Sequence, residues 1–284
     1  MPDMVAFTAF MEAAVRLGAP LALAALGETV AERSGVLNLG IEGSIIGGAL
    51  GGAIGALFLG SANGGLLVGA AAGMMIAAVF AVFAVVLNRD QIIVGTAVTM
   101  LGLGLTGAVY QATFGATGTA LSLPTLGAVP IPILSGIPLV GSAFFSQPIT
   151  VYLVYLLIPA LSWFLFRTRA GLVLRSAGES PAAVQAVGSR VRWTRVTAVL
   201  FGGALAGLAG VHLALAHSGT FAEGMSAGRG FIAIAVVVLG RWNPLGVGLA
   251  ALFFGAASAV QFLSLIHISE PTRPPVASRM PSSA

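Results

Sequence analysis

Residues 43–88, GSIIGGALGGAIGALFLGSANGGLLVGAAAGMMIAAVFAVFAVVLN, contain no charged side chain. An apolar run of about 20 residues is long enough to cross a bilayer as a helix. The polar, glycine-rich break SANGG at 61–65 divides this segment in two. We therefore predict two membrane spans here, at 36–60 and 64–87.

The whole chain has the composition of an integral membrane protein. Of its 284 residues, 57% are hydrophobic and only 8% are charged, whereas soluble domains are roughly one quarter charged. The 39 glycines are typical of helices that approach each other closely in a membrane, because small side chains let backbones touch. These features predict an all-α, polytopic helix bundle.

The same reasoning places about eight membrane segments in the chain. Besides the two above, they lie at about 5–27, 92–115, 149–166, 196–216, 224–240 and 243–263. Two of the eight are expected to be broken or re-entrant, near 36–47 and 224–240. The apolar part of the second, GFIAIAVVVLG, is about 11 residues or roughly 16 Å of helix, which is half a bilayer. Paired glycine-interrupted segments of this kind indicate a transport site.

The distribution of arginine predicts the orientation. Segment 167–195 holds six arginines against one glutamate, so by the positive-inside rule it should face the cytoplasm. Counting spans back from it places the loop around 28–33 inside and the N-terminus outside. Arginines in cytoplasmic loops explain the net charge of +4, so the charge does not indicate that the protein binds nucleic acid.

The absence of two residue types excludes several kinds of site. The chain has no cysteine, so it can form neither a disulfide nor a thiolate metal site. All its basic residues are arginine, and an ATP-binding P-loop requires lysine. His212 and His217 have no acidic residue at ligand spacing, so we expect no metal site. No convincing catalytic cluster is present, and we expect neither an enzyme nor a cofactor bound by this chain.

Polar residues crowd into the stretch that precedes the charge-free segment. They are Glu28, Glu32, Arg33, Asn38 and Glu42. An ionisable group in or near a membrane is costly and faces a cavity or a partner by default. Asn38 and Glu42 share a face if their stretch is helical; they either face a translocation pathway or stabilise a broken helix. The other three are interpreted mainly as ordinary loop charges.

The sequence GESPAAVQAVG within the basic loop predicts a short helix. Ser180 suits the N-cap, Pro181 the first helical position and Gly188 the position after the end. A helix of about seven residues is not stable alone in water, so something must support it. The groove of a cytoplasmic partner and the protein's own loop ends are both compatible with the pattern.

Four blocks of sequence carry a family resemblance. They are GETVAERSGVLNLGIEG, DQIIVGTAVTMLGLGL, RTRAGLVLRSAGESPAAVQAVG with GGALAGLAG, and GRGFIAIAVVVLGRWNPLG. Over about residues 5–263 the chain resembles the inner-membrane permease subunits of bacterial ABC importers of the simple-sugar and nucleoside group, particularly its nucleoside-type branch. The resemblance implies a multi-pass permease in the bacterial inner membrane that has no nucleotide site of its own. The implied partners are a second permease subunit (a hetero-dimer), a cytoplasmic ABC ATPase that binds ATP, and an extracytoplasmic substrate-binding lipoprotein.

The resemblance also assigns residues to two sites. Coupling to the ATPase is implied for Glu179, Ser180, Pro181, Ala182, Ala183, Gln185 and Gly188. A place in the substrate pathway is implied for Gly35, Asn38, Gly40, Glu42, Gly43, Thr99, Gly228 and Gly230. One departure from the family pattern is Thr99, which stands where an asparagine is expected in this branch.

We therefore expect nucleoside transport by alternating access, with a simple sugar or a branched-chain amino acid as alternative substrates. A stand-alone channel or ion-coupled carrier is a further alternative, but 43–88 and 91–166 contain no acidic residue for ion coupling. We divide the chain into a permease domain, 1–263, which includes the coupling loop 167–195, and a Pro/Ser-rich tail, 264–284. The tail is expected to be non-native or disordered and to stand in place of a further span.

Overall fold

A computed structural model describes residues 2–115, 122–137 and 141–268 of the protein. Within them the fold is built from eleven α-helices. They are α1 (Pro2–Arg33), α2 (Ile41–Phe58), α3 (Ala62–Phe80), α4 (Gln91–Phe114), α5 (Gly141–Phe145), α6 (Ile149–Arg167), α7 (Arg169–Glu179), α8 (Pro181–Ala186), α9 (Val191–Val211), α10 (Arg229–Leu239) and α11 (Pro244–Ile268). Two π-helical segments, Ala81–Val86 and His212–Ser218, extend α3 and α9, and Leu134–Gly136 forms a 3₁₀ turn. Strands β1 (Val129–Pro130) and β2 (Ser146–Gln147) pair antiparallel.

Seven helices among the described residues are long and apolar enough to cross a membrane. They are Phe7–Arg33, Ile41–Phe58, Ala62–Val86, Gln91–Phe114, Ile149–Arg167, Val191–Ser218 and Pro244–Gln261. The shorter apolar helix α10 adds a segment of about 16 Å at helical rise. The predicted all-α, polytopic bundle of about eight membrane segments is thus confirmed. Its first span is longer than predicted, because α1 continues to Arg33 instead of ending near residue 27.

The predicted tail, 264–284, lies mostly outside the described residues. Helix α11 continues to Ile268, five residues past the predicted boundary at 263, and the structure does not describe the residues after it. The division of the chain into a permease domain and a non-native or disordered tail stays a prediction.

Two stretches of non-helical backbone interrupt the bundle. Residues 34–40 connect α1 to α2, and residues 219–228 lead from the end of α9 to α10. Each contains a glycine with a left-handed backbone, Gly35 at φ +86° and Gly228 at φ +79°, a conformation that glycine adopts without steric cost. Irregular backbone at membrane depth must face protein or water. These two re-entrant stretches are therefore the places where a pathway can form.

Helices α2, α3 and α9 pack through direct backbone contacts. A Cβ atom added to Gly48 of α2 would lie 2.3 Å from Gly207 Cα of α9, and one added to Gly73 of α3 would lie 2.5 Å from the same atom. Such distances leave no space for any side chain, as expected for membrane helices that associate through small residues. We call these three helices the glycine frame.

A leucine at Gly207 is expected to prevent correct folding of the bundle. Its Cβ atom alone would lie 2.4 Å from Gly69 O, and overpacking of a tight core costs about 1–3 kcal/mol or more. The measurement is the fraction of detergent-extracted permease that elutes as a single peak in fluorescence-detected size-exclusion chromatography. The matched control is Gly104→Leu, because no atom of the described residues lies within 4 Å of a Cβ placed there. Equal peaks from the two variants would contradict the direct contact.

Candidate functional site

The 34–40 turn folds back into the bundle, where Glu28 of α1 fixes it. Glu28 Oε1 accepts a hydrogen bond from the Asn38 backbone N–H at 2.8 Å, and the Glu28 side chain is fully buried. Glu28 lies about 7 Å before the end of α1 at helical rise, so the turn re-enters the bundle to that depth. The interpretation of Glu28 as a loop charge is wrong, because it is a buried residue of a membrane-spanning helix.

Asn38 shapes the backbone that leads into α2. Its Oδ1 accepts a hydrogen bond from Gly40 N at 3.0 Å, a local bond of the kind that Asn makes in turns. Because α2 begins only at Ile41, the stretch from Asn38 to Glu42 is not one helix, and the condition for a shared helical face is not met. The geometry matches the alternative in which Asn38 stabilises a break between helices.

Glu42 caps the N-terminus of the half-length helix α10. Its Oε1 accepts a hydrogen bond from Gly228 N at 2.8 Å and its Oε2 accepts one from Gly230 N at 2.6 Å. Glu42 is only 4% exposed, so these bonds form away from solvent. The first N–H groups of a helix have no partner within it, and a negative charge there is favoured by the helix dipole. A Cβ atom at Gly230 would lie 2.7 Å from Glu42 Cα, so only glycine permits this approach.

The other end of α10 is bound to the end of α1. Arg33 Nε donates a hydrogen bond to Trp242 O at 3.0 Å. The indole N–H of Trp242 in turn donates to the carboxylate of Glu32. Arg33 and Glu32 are thus more than the ordinary loop charges that the sequence suggested. Together with Glu42, they connect both ends of α10 to the hairpin formed by α1 and α2.

Helix α4 lies against the other side of the α2 start. Thr99 Oγ1 donates a hydrogen bond to Leu39 O at 3.0 Å, and Gln91 Oε1 accepts one from Leu37 N at 2.8 Å. A Cβ atom on Gly43 would lie 2.8 Å from a backbone oxygen of α4. The turn between α1 and α2 is therefore bonded to α4 as well as to α10.

A cavity of about 490 Å³ opens between α4 and α10 at the end of the bundle that carries α7 and α8. The 34–40 turn, Gln91, Ile234 and Val238 of α10 and Trp242 just after α10 contribute to its lining. Its volume lies within the range of small-molecule sites. The cavity, the α2 start and the α10 start together form a candidate pathway along one side of the chain.

The predicted pathway residues divide into two groups. Asn38, Gly40, Glu42, Gly43, Thr99, Gly228 and Gly230 come together where α2 and α10 begin. Gly35 lies apart from them, since a Cβ atom there would be 3.0 Å from Gly178 Cα in α7. Sequence reasoning missed Gln91, whose side chain binds the turn to α4, and Trp242, whose side chain binds the end of the α10 segment to Glu32 of α1. Trp242 follows the predicted re-entrant segment 224–240, whereas Gln91 stands at the start of a predicted span and gave no signal of its contact with the turn.

The predicted short helix in the basic loop is α8, with boundaries close to those expected. Pro181 occupies its first position, and Gly188 follows its end with a left-handed φ of +79°. The backbone N–H groups of Gly188 and Ser189 bond to the carbonyl oxygens of Gln185 and Val184, as in a Schellman motif. Ser180 occupies the predicted N-cap position, but its side chain makes no cap hydrogen bond.

Helix α8 is supported by its own loop through one residue and otherwise faces outward. Val184 is buried against Ala177 of α7 and Val191 of α9. The remaining predicted coupling residues are exposed except for Pro181, which is half-buried. The exposed set, which we call the coupling surface, consists of Glu179, Ser180, Ala182, Ala183, Gln185 and Gly188. The protein's own loop thus holds α8 in place while leaving this surface free.

Arg195 of α9 joins this loop to the 34–40 turn. Its Nε donates a hydrogen bond to Ser34 O at 3.1 Å, and its Nη2 donates one to Ala177 O at 3.2 Å. Beside it the backbones of Gly35 and Gly178 touch, because a Cβ atom on Gly178 would lie 3.0 Å from Gly35 N.

Three further polar side chains, those of Glu12, Arg16 and His212, have partners among the described residues. Arg16 and Glu12 form an i,i+4 ion pair at 3.0 Å. His212 is buried, with Nδ1 2.6 Å from Thr150 Oγ1 and Nε2 3.0 Å from Arg16 O. Across the described ranges, no group of three or more metal-binding side chains could hold a metal ion.

Comparison with known proteins identifies relatives over most of the chain. The permease TsgC13 of Haloferax volcanii, whose name assigns it to a glucose ABC transporter, is 40% identical over 258 residues, 89% of this chain and 77% of the relative. The guanosine ABC transporter permease protein NupQ of Bacillus subtilis is 36% identical, covering 86% of this chain and 79% of NupQ. The nucleoside ABC transporter permease protein NupC of Lactococcus lactis is 35% identical, covering 83% and 76%. No solved structure matches the chain.

A family model agrees with these relatives. The model described as "Branched-chain amino acid transport system / permease component" matches residues 10–277. That range includes six of the seven spans, all but the first three residues of the first span, the two re-entrant stretches and α8. The chain therefore belongs to this family of permease components, and it is a multi-pass membrane permease of an ABC transporter, not an enzyme.

Proposed function

We propose that this chain forms one half of the membrane pathway of an ATP-driven importer in the bacterial inner membrane, and that its substrate is an uncharged nucleoside. Two guanosine permeases of Bacillus subtilis, NupQ and NupP, both match this chain, which supports pairing with a second, different permease. A cytoplasmic ATPase would bind ATP, so this chain needs no cofactor. An extracytoplasmic binding protein would deliver the substrate.

The observation that supports an uncharged substrate is that the side chain of Glu42 occupies the N-terminus of α10. In transporters with discontinuous helices, such an N-terminus faces the anionic group of the substrate. Here the carboxylate of Glu42 already accepts hydrogen bonds from Gly228 N and Gly230 N. A substrate carboxylate or phosphate would find these donors taken and a negative charge beside them. The site therefore favours uncharged substrates over branched-chain amino acids.

A simple sugar is the second candidate, and the glucose-transporter name of TsgC13 favours it. Glucose is uncharged and meets the same electrostatic condition as a nucleoside. Thr99 does not separate the two, because its hydroxyl is bonded to Leu39 O. We place nucleosides first because the names of NupQ and NupC both specify them.

The proposed mechanism is alternating access. The coupling surface would dock on the ATPase, and closure of the ATPase on ATP would displace α7 and α8. The paired permeases would then open the pathway between them to one side of the membrane and close it to the other. In this chain the moving part would be the 34–40 turn together with α10, since Glu32, Arg33 and Glu42, which lie on either side of that turn, bind both ends of α10.

Uptake of labelled guanosine should exceed uptake of labelled leucine at least about tenfold, the size expected when a carboxylate must enter a site whose helix N–H donors are already bonded to Glu42. The measurement uses proteoliposomes that contain the chain with its second permease and ATPase, supplied with the binding protein and ATP. Labelled glucose is included in a third set of vesicles. Glucose uptake without guanosine uptake would show that the substrate is a sugar and not a nucleoside. Leucine uptake would contradict the argument from Glu42.

A further inference from the structure

Arg195 sits where the coupling loop meets the pathway. Its guanidinium donates hydrogen bonds to Ala177 O of α7 and to Ser34 O of the re-entrant turn, at 3.2 and 3.1 Å. Arginine presents its donors in a rigid planar fork, which suits one side chain holding two carbonyl groups at a fixed separation. The two carbonyls belong to segments that are far apart in sequence.

The backbones that Arg195 joins are in direct contact. A Cβ atom on Gly178 would lie 2.5 Å from Arg33 O, and one on Gly35 would lie 3.0 Å from Gly178 Cα. Because these two backbones are already in contact, movement of one toward the other must push the other in the same direction. The hydrogen bonds of Arg195 supply the opposite restraint, since they resist separation.

The contact that Arg195 makes with Ala177 and Ser34, which we call the joint, is connected to α8 on one side. Val184, the buried residue of α8, packs against Ala177, and Arg195 holds the carbonyl group of that same Ala177. A displacement of α8 therefore reaches the end of α7 that Arg195 binds.

On its other side the joint is continuous with the pathway. Arg33, next to Ser34, is bonded to Trp242 at the end of α10. Asn38, at the far end of the turn, is bonded to Glu28, and Glu42 beyond it caps the start of α10. A displacement of Ser34 and Gly35 would therefore be transmitted to both ends of α10 and would move the helix.

We infer that Arg195 is the positioning residue that transmits movement of the ATPase-bound loop to the re-entrant turn and α10. The inference uses the docking of the ATPase on the coupling surface proposed above, and it does not depend on the identity of the substrate. Without Arg195, α7 would still move with the ATPase, but the turn would no longer follow it in both directions.

The test exploits the absence of cysteine from the chain, which lets introduced cysteines carry spin labels at defined positions. Phe58, at the end of α2, is an exposed reference; Leu172 reports on α7 and Leu239 on α10, and both are exposed. One protein carries Phe58→Cys with Leu172→Cys, and a second carries Phe58→Cys with Leu239→Cys. Electron–electron distances are measured in the assembled transporter in nanodiscs, without nucleotide and with ATP and vanadate.

With Arg195 present, we expect nucleotide to shift both distances. With Arg195→Ala, we expect the α7 shift to remain and the α10 shift to be lost, and we expect ATP hydrolysis to continue while transport per ATP falls about tenfold, within the range of typical coupling effects. Arg192→Ala is the charge-matched control, because Arg192 is an exposed arginine of the same helix, and it should retain both shifts. Arg195→Lys, which keeps the charge but not the fork, should restore only part of the α10 shift.

Retention of the α10 shift in Arg195→Ala would overturn the inference. The inference would also be overturned if Arg195→Ala no longer co-purified with the ATPase while Arg192→Ala still did. Arg195 would then have a purely structural role. Failure of the proposed coupling surface has a different signature: the transporter with Arg195 intact would show no α7 shift on nucleotide binding. Failure of the nucleoside assignment would leave every distance result unchanged.

Discussion

Uptake is expected to fall at least about 100-fold when Glu42 is replaced by alanine. The change removes the acceptors for two N–H groups at the start of α10, that of Gly230, which is buried, and that of Gly228, which is partly buried. Hydrogen bonds to a charged group contribute about 1.5–3 kcal/mol each, and about 1.4 kcal/mol corresponds to a factor of ten. Loss of both bonds therefore lowers the population of the conformation in which α10 is bound to α2, and it does so about 100-fold or more.

The measurement is initial uptake in proteoliposomes, normalised to the amount of monodisperse permease. Glu42→Gln keeps the shape and one acceptor oxygen, so its uptake should lie between the alanine variant and the unmodified protein. Glu12→Gln is the matched control, because it removes a carboxylate of α1 whose partner is the neighbouring Arg16. Uptake by Glu42→Ala within threefold of the Glu12→Gln control would show that the cap does not hold the pathway together.

An arginine in place of Ala183 is expected to abolish association with the ATPase while leaving the permease folded. Ala183 is exposed on α8, so the substitution disturbs no internal contact and introduces a bulky charge at the centre of the coupling surface. Central interface positions commonly control 2 kcal/mol or more of binding, so we expect co-purification of the ATPase to fall about 30-fold or more. Glu179→Arg should act in the same direction.

The control is Ala170→Arg, which makes the same substitution at an exposed alanine of the same loop, in the first turn of α7. We expect this variant to bind the ATPase and to support uptake. Both variants are compared by pull-down of the ATPase on tagged permease and by size-exclusion chromatography. If Ala183→Arg retains the ATPase as well as Ala170→Arg does, α8 is not the docking element.

The membrane spans and the half-length of α10 could be predicted because they depend on local composition. Charge-free runs and helical rise decide how far a segment reaches, and the 11 residues of α10 fit the length expected from its apolar part. The boundaries of α8 are also local, set by Pro181 and by the left-handed Gly188. Such features need no knowledge of what lies across the fold.

The bonds that build the site could not be predicted, because their acceptors and donors are distant in sequence. Glu42 binds backbone N–H groups of Gly228 and Gly230, and a backbone N–H leaves no mark in a sequence. The charge of Glu28 suggested a loop, yet burial is possible because Asn38 N donates to it. The spacing of Asn38 and Glu42 suggested a common helical face, but the chain breaks between them to bring the turn against α4.

The glycine frame restricts how this permease can change shape. Backbones that touch at Gly48, Gly73 and Gly207 cannot slide past one another, so shear between α2, α3 and α9 is disfavoured. Helix α10 approaches α2 closely at Gly230, and hydrogen bonds at its two ends bind it to α1 and α2; one close contact with hydrogen bonds around it tolerates rotation. Opening and closing should therefore occur as a hinge rotation of α10 and the 34–40 turn, and the frame should superpose unchanged between inward-open and outward-open states.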